Sequence, residues 1–274
     1  MYGHVHCSTM AKPLVVVVTE MPESITRAAH DAGKIDLRVW RPSASESHVV
    51  ATNEWLRENA PGASALLIVV PTPATDDLMQ AAGPSLKVVS TMSVGADHID
   101  TAAAKRRGIR VGYTPAVLSD AVADMSLLLA LMVMRNVPEA MRVVTTGAWP
   151  MVPWSPLSFT GPSLAGKTVG FIGFGDIAQT LAAKLAAFSP ARIVYKASKP
   201  RPFCFGNASF RRLSESPLLA AHYQVHQRLP VDIVNEDDPH ALAAQCDVVL
   251  YVDGRAATYA AVSYTHLTLP TICS

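Results

Sequence analysis

The chain has 274 residues, of which 50% are hydrophobic and 16% charged, with a formal net charge of +1. That balance excludes a disordered chain, which needs low hydrophobicity and high charge. It also provides no global field aimed at nucleic acid or an acidic membrane face.

Short apolar runs alternate with helical stretches along the whole chain. Leu14–Val18 reads as a strand; the Thr19-Glu20 pair that follows it at once argues against a signal peptide. A helix over Glu23–Ala32 ends at Gly33, and strands follow at Ala65–Val70 and Lys87–Thr91. A second helix, Asp100–Arg107, ends at Gly108, and Arg110–Tyr113 closes this first series. Several of the runs are apolar throughout, as parallel strands covered on both faces require. Thr114-Pro115 and Ser119-Asp120 then supply a turn and an N-cap for one long helix reaching about Thr146. Its apolar run, Met125–Met134, is too short to cross a bilayer and reads as a buried helix.

After a Pro- and Trp-rich loop come the strands Thr168–Ile172, Ile193–Tyr195 and Val248–Val252, while Phe203–Pro230 reads as a surface insertion. The alternation predicts an α/β protein, with one domain over 11–114 and a second over 115–261 that includes the linking helix. Cys7, Cys204, Cys246 and Cys273 are scattered, so neither a disulfide framework nor a cysteine zinc site is expected, and a reducing, cytoplasmic setting is. His222 and His226 have helical i, i+4 spacing but no third ligand, and no metal is expected.

The sharpest motif is Lys167–Ala178, in which the strand Thr168–Ile172 runs into Gly173-Phe174-Gly175-Asp176-Ile177-Ala178, followed by a helical pattern at Ile177, Leu181, Leu185 and Phe188. Gly173 allows the tight turn, Gly175 lets the backbone approach a pyrophosphate, and Ala178 permits close packing of helix on strand. Free N–H groups at the positive helix end then meet the phosphates. An NAD site usually places an acid about 20 residues further on, to bond the ribose hydroxyls. Here no acidic residue occurs between Asp176 and Glu215, and Lys196, Ser198, Lys199 and Arg201 cluster after the next strand. A hydroxyl with cations suits a 2′-phosphate, so NADP(H) is expected over NAD(H). The bland alternative is a solvated basic loop.

Two further stretches, Ser90-Thr91-Met92-Ser93-Val94-Gly95-Ala96-Asp97-His98-Ile99-Asp100 and Lys105 through Pro115, together with the glycine turn and Ser198-Lys199-Pro200-Arg201, resemble the D-isomer-specific 2-hydroxyacid dehydrogenases. The likeness is greatest to the glyoxylate/hydroxypyruvate reductase branch and runs from Lys12 to about Tyr259, outside 203–230. It implies a flavodoxin-like substrate domain plus a Rossmann-type doubly wound nucleotide-binding domain, and NADPH-dependent reduction of a small 2-keto acid to a D-2-hydroxy acid. It also implies a homodimer built through the nucleotide domain and its long helix.

By matching position, the backbone at Val94 and Gly95 would bind the substrate carboxylate. Gly173, Gly175, Asp176 and Ile177 would face the pyrophosphate, and Ser198, Lys199, Pro200 and Arg201 the 2′-phosphate. Asp97 and Asp100 would cap the next helix, and His98 stands beside them without being the proton donor. Trp149 and Trp154 resemble a loop that reaches the partner subunit's active site. Asp176, where the family commonly has a basic or amide residue, and Asp253-Gly254-Arg255-Ala256 depart from the pattern.

The family's catalytic Arg, Glu and His fall beyond the fourth strand of the nucleotide domain, so no residue of this chain is expected to supply them and the chain is expected to be inactive. Residues 262–274 resemble the translation of a transposon-end adapter and are expected to be non-native, leaving an incomplete nucleotide domain with an exposed edge strand. The alternatives are another NAD(P)-linked enzyme of the family, such as a phosphoglycerate dehydrogenase, or a dinucleotide-sensing corepressor-type binding protein on the same fold.

Overall fold

The computed structural model describes residues 11–20, 24–42 and 50–252, and the chain divides into two compact units, Met1–Val117 and Leu118–Ser274. In the first unit the order is β1 (Leu14–Val17), α1 (Ser24–Asp31), β2 (Asp36–Val39), α2 (Asn53–Asn59), β3 (Ala63–Ile68), α3 (Asp76–Ala82), β4 (Val88–Thr91), α4 (Thr101–Arg106) and β5 (Arg110–Gly112). All neighbouring strands pair in parallel, in the order β2-β1-β3-β4-β5. This is the flavodoxin-like order, and its core is Val16, Leu66, Ile68 and Val89 with Leu56, Met79 and Ala103 from the helices. Gly33 and Gly108 follow α1 and α4 at φ of +68° and +69°, the left-handed position a helix end favours.

The second unit runs α5 (Ser119–Met134), α6 (Val137–Thr145), β6 (Thr168–Ile172), α7 (Asp176–Leu185), β7 (Arg192–Lys196), α8 (Arg211–Ser214), α9 (Pro217–His226), β8 (Asp232–Asn235), α10 (Pro239–Gln245) and β9 (Val248–Tyr251). Its strands, also all parallel, lie in the order β8-β7-β6-β9, the 3-2-1-4 portion of a Rossmann sheet. The expected α/β class and both sheet types are therefore present.

Several expectations change. The long helix is two, because Asn136 takes a left-handed φ of +54°, Pro138 follows within the first turn of α6, and the axes bend by 75°. Proline has no N–H for the ladder and clashes with the preceding turn, so the helix cannot continue. Ser119 is the first residue of α5 and not its cap; Leu118 holds that place without a side-chain bond. Only one face of α5 is buried: Ala123, Ser126, Ala130 and Met134 pack inward with α7, whereas Met125 and Leu128 are exposed. Lys184 of α7 closes this pair by binding Asp120 at 3.3 Å and also Asp124.

Residues 203–230 are not a surface insertion. They form the crossover from β7 to β8, carry α8 and α9, and send Phe210, Leu213 and Leu219 into the core. β2 and β8 escape the sequence pattern because both are four-residue edge strands: β2 alternates charged with apolar residues, and β8 has only the Ile233-Val234 pair between Asp232 and Asn235. The expected tail, 262–274, lies outside the described residues, as does Glu23.

Close packing fixes where β6 lies. A Cβ built on Gly170 would come within 2.7 Å of Cys246 Sγ and 2.8 Å of Leu242 Cδ2, so α10 rests directly on that glycine. Gly170→Ala should lower the unfolding free energy by about 1–3 kcal/mol, read from urea denaturation. A value within about 0.5 kcal/mol of wild type would show that α10 yields freely there.

Candidate functional site

The end of β6 passes into Gly173, whose φ of +90° is a conformation that suits glycine. Its N–H donates to the Lys196 carbonyl at 2.9 Å, which ties the turn to the end of β7. Gly175 is the N-cap of α7 and supplies no side-chain bond. The first ladder bond is Gln179 N–H to Gly175 C=O at 3.0 Å, so the N–H groups of Asp176, Ile177 and Ala178 precede it. Side chains of Thr52, Thr75, Asp100, Ser216 and Asp238 cap α2, α3, α4, α9 and α10 instead. A Cβ on Gly175 would meet no heavy atom within 4 Å. Uncapped donors at a positive helix end, beside open space, fit a phosphate group.

Asp176, the negative charge at this turn, is not left uncompensated. Its Oδ2 lies 3.5 Å from Arg211 Nη2 and 3.4 Å from Arg212 Nε, both on α8. Sequence reasoning missed this pairing, since the partners stand 35 and 36 positions apart. Buried Gln179 donates from Nε2 to the carbonyls of Phe174 (3.2 Å) and Ser209 (2.9 Å), joining the turn to the same crossover.

Beneath the turn lies an aromatic layer. Phe174 stacks on Tyr195 with ring centroids 4.1 Å apart, and Phe210 meets Tyr195 edge-on at 5.9 Å. The Tyr195 hydroxyl donates to the Arg201 carbonyl, and burial pushes its pKa up to about 12, which keeps the proton in place. That bond fixes the start of the loop after β7. Ser198, Lys199 and Pro200 are exposed, whereas Arg201 is half-buried. The Arg201 guanidinium sits over the Phe210 ring at 5.4 Å and donates from Nη1 to Ser209 C=O at 3.2 Å. A guanidinium has five N–H donors, so most of its capacity stays available.

In the first unit, Val94 and Gly95 follow β4 at the carboxyl end of its sheet. Ser93 Oγ donates to Gly95 C=O at 2.7 Å, Thr91 Oγ1 is 2.8 Å from Ser93 Oγ, and His98 Nε2 is 2.9 Å from Thr91 Oγ1. Among the described residues, the N–H groups of Val94, Gly95 and Ala96 meet no protein acceptor. Consecutive backbone donors of this kind suit an anion. Burial pushes the pKa of His98 down, with neighbouring Asp97 opposing the shift. Asp100 caps α4 through the Ala103 N–H at 2.8 Å; Asp97 makes no such bond and is exposed.

His222 and His226 share a face of α9, with ring centroids 4.4 Å apart, and His222 Nδ1–H donates to Arg228 C=O at 2.8 Å. Among the described residues, no group of three or more His, Cys, Asp and Glu side chains gathers as a metal site would. No single described helix is long and apolar enough to cross a membrane. Trp149 stacks near Phe159 at 6.1 Å, and Trp154 is 88% exposed. Asp253-Gly254-Arg255-Ala256 lies outside the described residues.

A flavodoxin-like sheet joined in one chain to a Rossmann sheet with a glycine turn defines a two-unit, dinucleotide-binding α/β class. The family model for D-isomer-specific 2-hydroxyacid dehydrogenases, catalytic domain, matches residues 15–273. The chain belongs to that family. It is 43% identical over 147 residues to the glyoxylate reductase/hydroxypyruvate reductase of Mus musculus, covering 54% of this chain and 44% of that protein. It is 40% identical over 189 residues to the glyoxylate reductase of Thermofilum pendens, covering 68% of this chain and 52% of that one. The chain thus spans about half the length of the curated relatives it matches. Among solved structures, an NAD-binding D-isomer-specific 2-hydroxyacid dehydrogenase from a Polaromonas species superposes with a TM-score of 0.67 at 27% identity, over 90% of this chain and 67% of that one. A protein from Thermus thermophilus does so at 0.66 and 28%, with the same coverage.

The two glycines of the turn should separate in experiment. Gly173→Ala should cost about 1–2 kcal/mol of stability from its positive φ. Gly175→Ala should leave stability within about 0.5 kcal/mol while abolishing most dinucleotide binding. Urea denaturation and a cofactor titration of the same two variants would check this; equal stability losses would refute the distinction.

Proposed function

We propose that this chain is the substrate-unit and cofactor-binding part of an NADPH-dependent reductase of glyoxylate and hydroxypyruvate. The observation that carries the cofactor reading is the bond between Gly173 N–H and the Lys196 carbonyl. It sets the uncapped start of α7, where a pyrophosphate fits, next to the strand end that leads into Ser198, Lys199, Pro200 and Arg201. The glyoxylate reductases of Mus musculus and Thermofilum pendens support the substrate class by their names. The partner-free N–H groups at Val94 and Gly95 support binding of a keto-acid carboxylate.

When bound, the nicotinamide supplies a hydride to the substrate's keto carbon. The chain's own residues divide the remaining work. Gly175, Asp176 and Ile177 present backbone donors to the pyrophosphate, Gly173 shapes the turn beneath it with its own N–H held by the Lys196 carbonyl, and Arg211 and Arg212 offset the Asp176 charge there. Ser198, Lys199 and Arg201 offer a hydroxyl and two cations to a 2′-phosphate, with Pro200 stiffening the loop. Val94 and Gly95 orient the keto acid by its carboxylate. For the 274 residues by themselves the proposal is cofactor binding without turnover, since the resemblance assigns none of their positions to the family's Arg, Glu and His. A domain of 11–114 for substrate and one of 115–261 for dinucleotide complete the reading.

A homodimer fits the exposed apolar side of α5 and α6, where Met125, Leu128, Met141 and Val144 face outward, and the exposed Trp149 and Trp154. A cytoplasmic setting fits cysteines without paired spacing.

Titration of the purified chain should yield NADPH binding at least about tenfold tighter than NADH, a difference of about 1.4 kcal/mol. Ser198→Asp should reverse that order, because a carboxylate repels the 2′-phosphate and accepts from ribose hydroxyls. NADH bound as tightly as NADPH by the wild type would sink the cofactor assignment. Separately, no glyoxylate-dependent NADPH oxidation is expected from the 274-residue chain; turnover by it would show that the reacting groups are within it.

A further inference from the structure

We propose that His98 is a positioning residue for the substrate carboxylate, acting through Thr91 and Ser93 to fix the Gly95 peptide. The inference rests on the reading of Val94-Gly95 as the carboxylate-binding turn and extends it to residues that reading does not use.

Counting protons gives the chain of bonds its direction. Ser93 Oγ donates to Gly95 C=O at 2.7 Å, and a hydroxyl has one proton to give. The 2.8 Å contact between Thr91 Oγ1 and Ser93 Oγ must then take its proton from Thr91. With the Thr91 proton spent, the 2.9 Å contact with His98 must be made by an N–H on Nε2. The order is therefore His98 Nε2–H to Thr91, Thr91 to Ser93, and Ser93 to the Gly95 carbonyl. The tautomer of the imidazole is thus linked, through successive donors, to the orientation of a backbone group on a different side of the turn.

Both hydroxyls are buried, Thr91 at 1% and Ser93 at 8% exposure, so water has little room to replace either bond. The two ends of the network are also anchored by the backbone. Thr91 is the last residue of β4, and the His98 carbonyl accepts from Ala74 N–H at 2.9 Å. Ser93 C=O accepts from both the N–H and the hydroxyl of Thr114, at 2.9 and 3.0 Å.

The consequence falls on the anion-binding groups. In a trans peptide the N–H points opposite to the C=O. Holding the Gly95 carbonyl against Ser93 therefore turns the Ala96 N–H the other way, and that N–H has no protein acceptor among the described residues. Val94 and Gly95 present two more such donors. Losing the His98 donor frees the Thr91 hydroxyl to rotate, and then the Ser93 hydroxyl, so the Gly95 peptide is no longer held in one orientation. A preorganised anion turn becomes an averaged one.

The test uses the isotope-labelled full chain in NMR, with glyoxylate as the probe. At neutral pH the His98 ring should show a proton on Nε2 and none on Nδ1. Glyoxylate should shift the amides of Val94, Gly95 and Ala96 in the wild type. His98→Ala should weaken that binding about tenfold, the worth of one lost hydrogen bond, and His98→Gln, which keeps a donor near the Nε2 position, should restore it to within about twofold. Thr91→Val should match the His98→Ala loss with His98 intact. Urea midpoints on the same samples separate a folding defect from a binding one, and Thr91→Val with His98→Gln decides the matter if His98→Ala does not fold. A proton on Nδ1 in place of Nε2, or His98→Ala binding within about twofold of wild type, would overturn the proposal. Silent loop amides in the wild type would instead overturn the carboxylate reading, and the positioning role with it.

Discussion

The hydrogen bond from Gly173 N–H to the Lys196 carbonyl is the constraint on which the second unit's proposed chemistry depends. A parallel sheet delivers the carboxyl ends of its strands to one side, but it does not by itself fix how the connecting loops lie there. This bond does so for the first two strands. It holds the glycine turn to the end of β7 and so makes the uncapped start of α7 and the basic loop neighbours. The aromatic layer of Phe174, Tyr195 and Phe210 supports both from below. Tyr195 is the hinge of that support, stacked on the turn's own Phe174 while its hydroxyl holds the Arg201 carbonyl.

The two units present anion-binding backbone by different physical means. In the second unit, donors are left over because a glycine at the N-cap of α7 offers no side chain to satisfy them. In the first unit, a side chain takes the opposite side of a peptide: Ser93 occupies the Gly95 carbonyl and turns the Ala96 N–H the other way. The arrangement at α7 depends on an absence of atoms, and the one after β4 on a network of them. Charge is handled locally as well. Asp176 would oppose a phosphate if solitary, yet two guanidinium groups from the crossover flank it, and Arg211 is shared with Glu215 at 3.1 Å.

Much of this was legible in the amino-acid order. The glycine turn was, because Gly173, Gly175 and Ala178 each answer a local steric need that the flanking strand and helix patterns reveal. The capping role of Asp100 was legible for the same reason. What escaped depended on distance along the chain or on exposure. Arg211 and Arg212 meet Asp176 only after the crossover folds back, so no local pattern announces them. The crossover looks irregular because each of its two helices has a single buried anchor, Leu213 in α8 and Leu219 in α9, with Phe210 just ahead of them and no sustained period. The break at Asn136 was hidden in plain view, since Pro138 sits where a first-turn proline is welcome and an interior one is not. The Thr91, Ser93 and His98 contacts escaped because the turn after β4 must fold back before these three side chains meet.

The contact between Gly170 and Cys246 has a kinetic consequence. Burial pushes the Cys246 thiol up to about 11, which keeps it protonated at neutral pH, and the thiolate is the reactive form. Cys204, by contrast, is exposed on the crossover. An alkylating reagent therefore reaches Cys246 only when α10 lifts from β6. The rate of Cys246 labelling becomes an internal clock for opening of the nucleotide sheet, run by a packing contact and needing no added probe site.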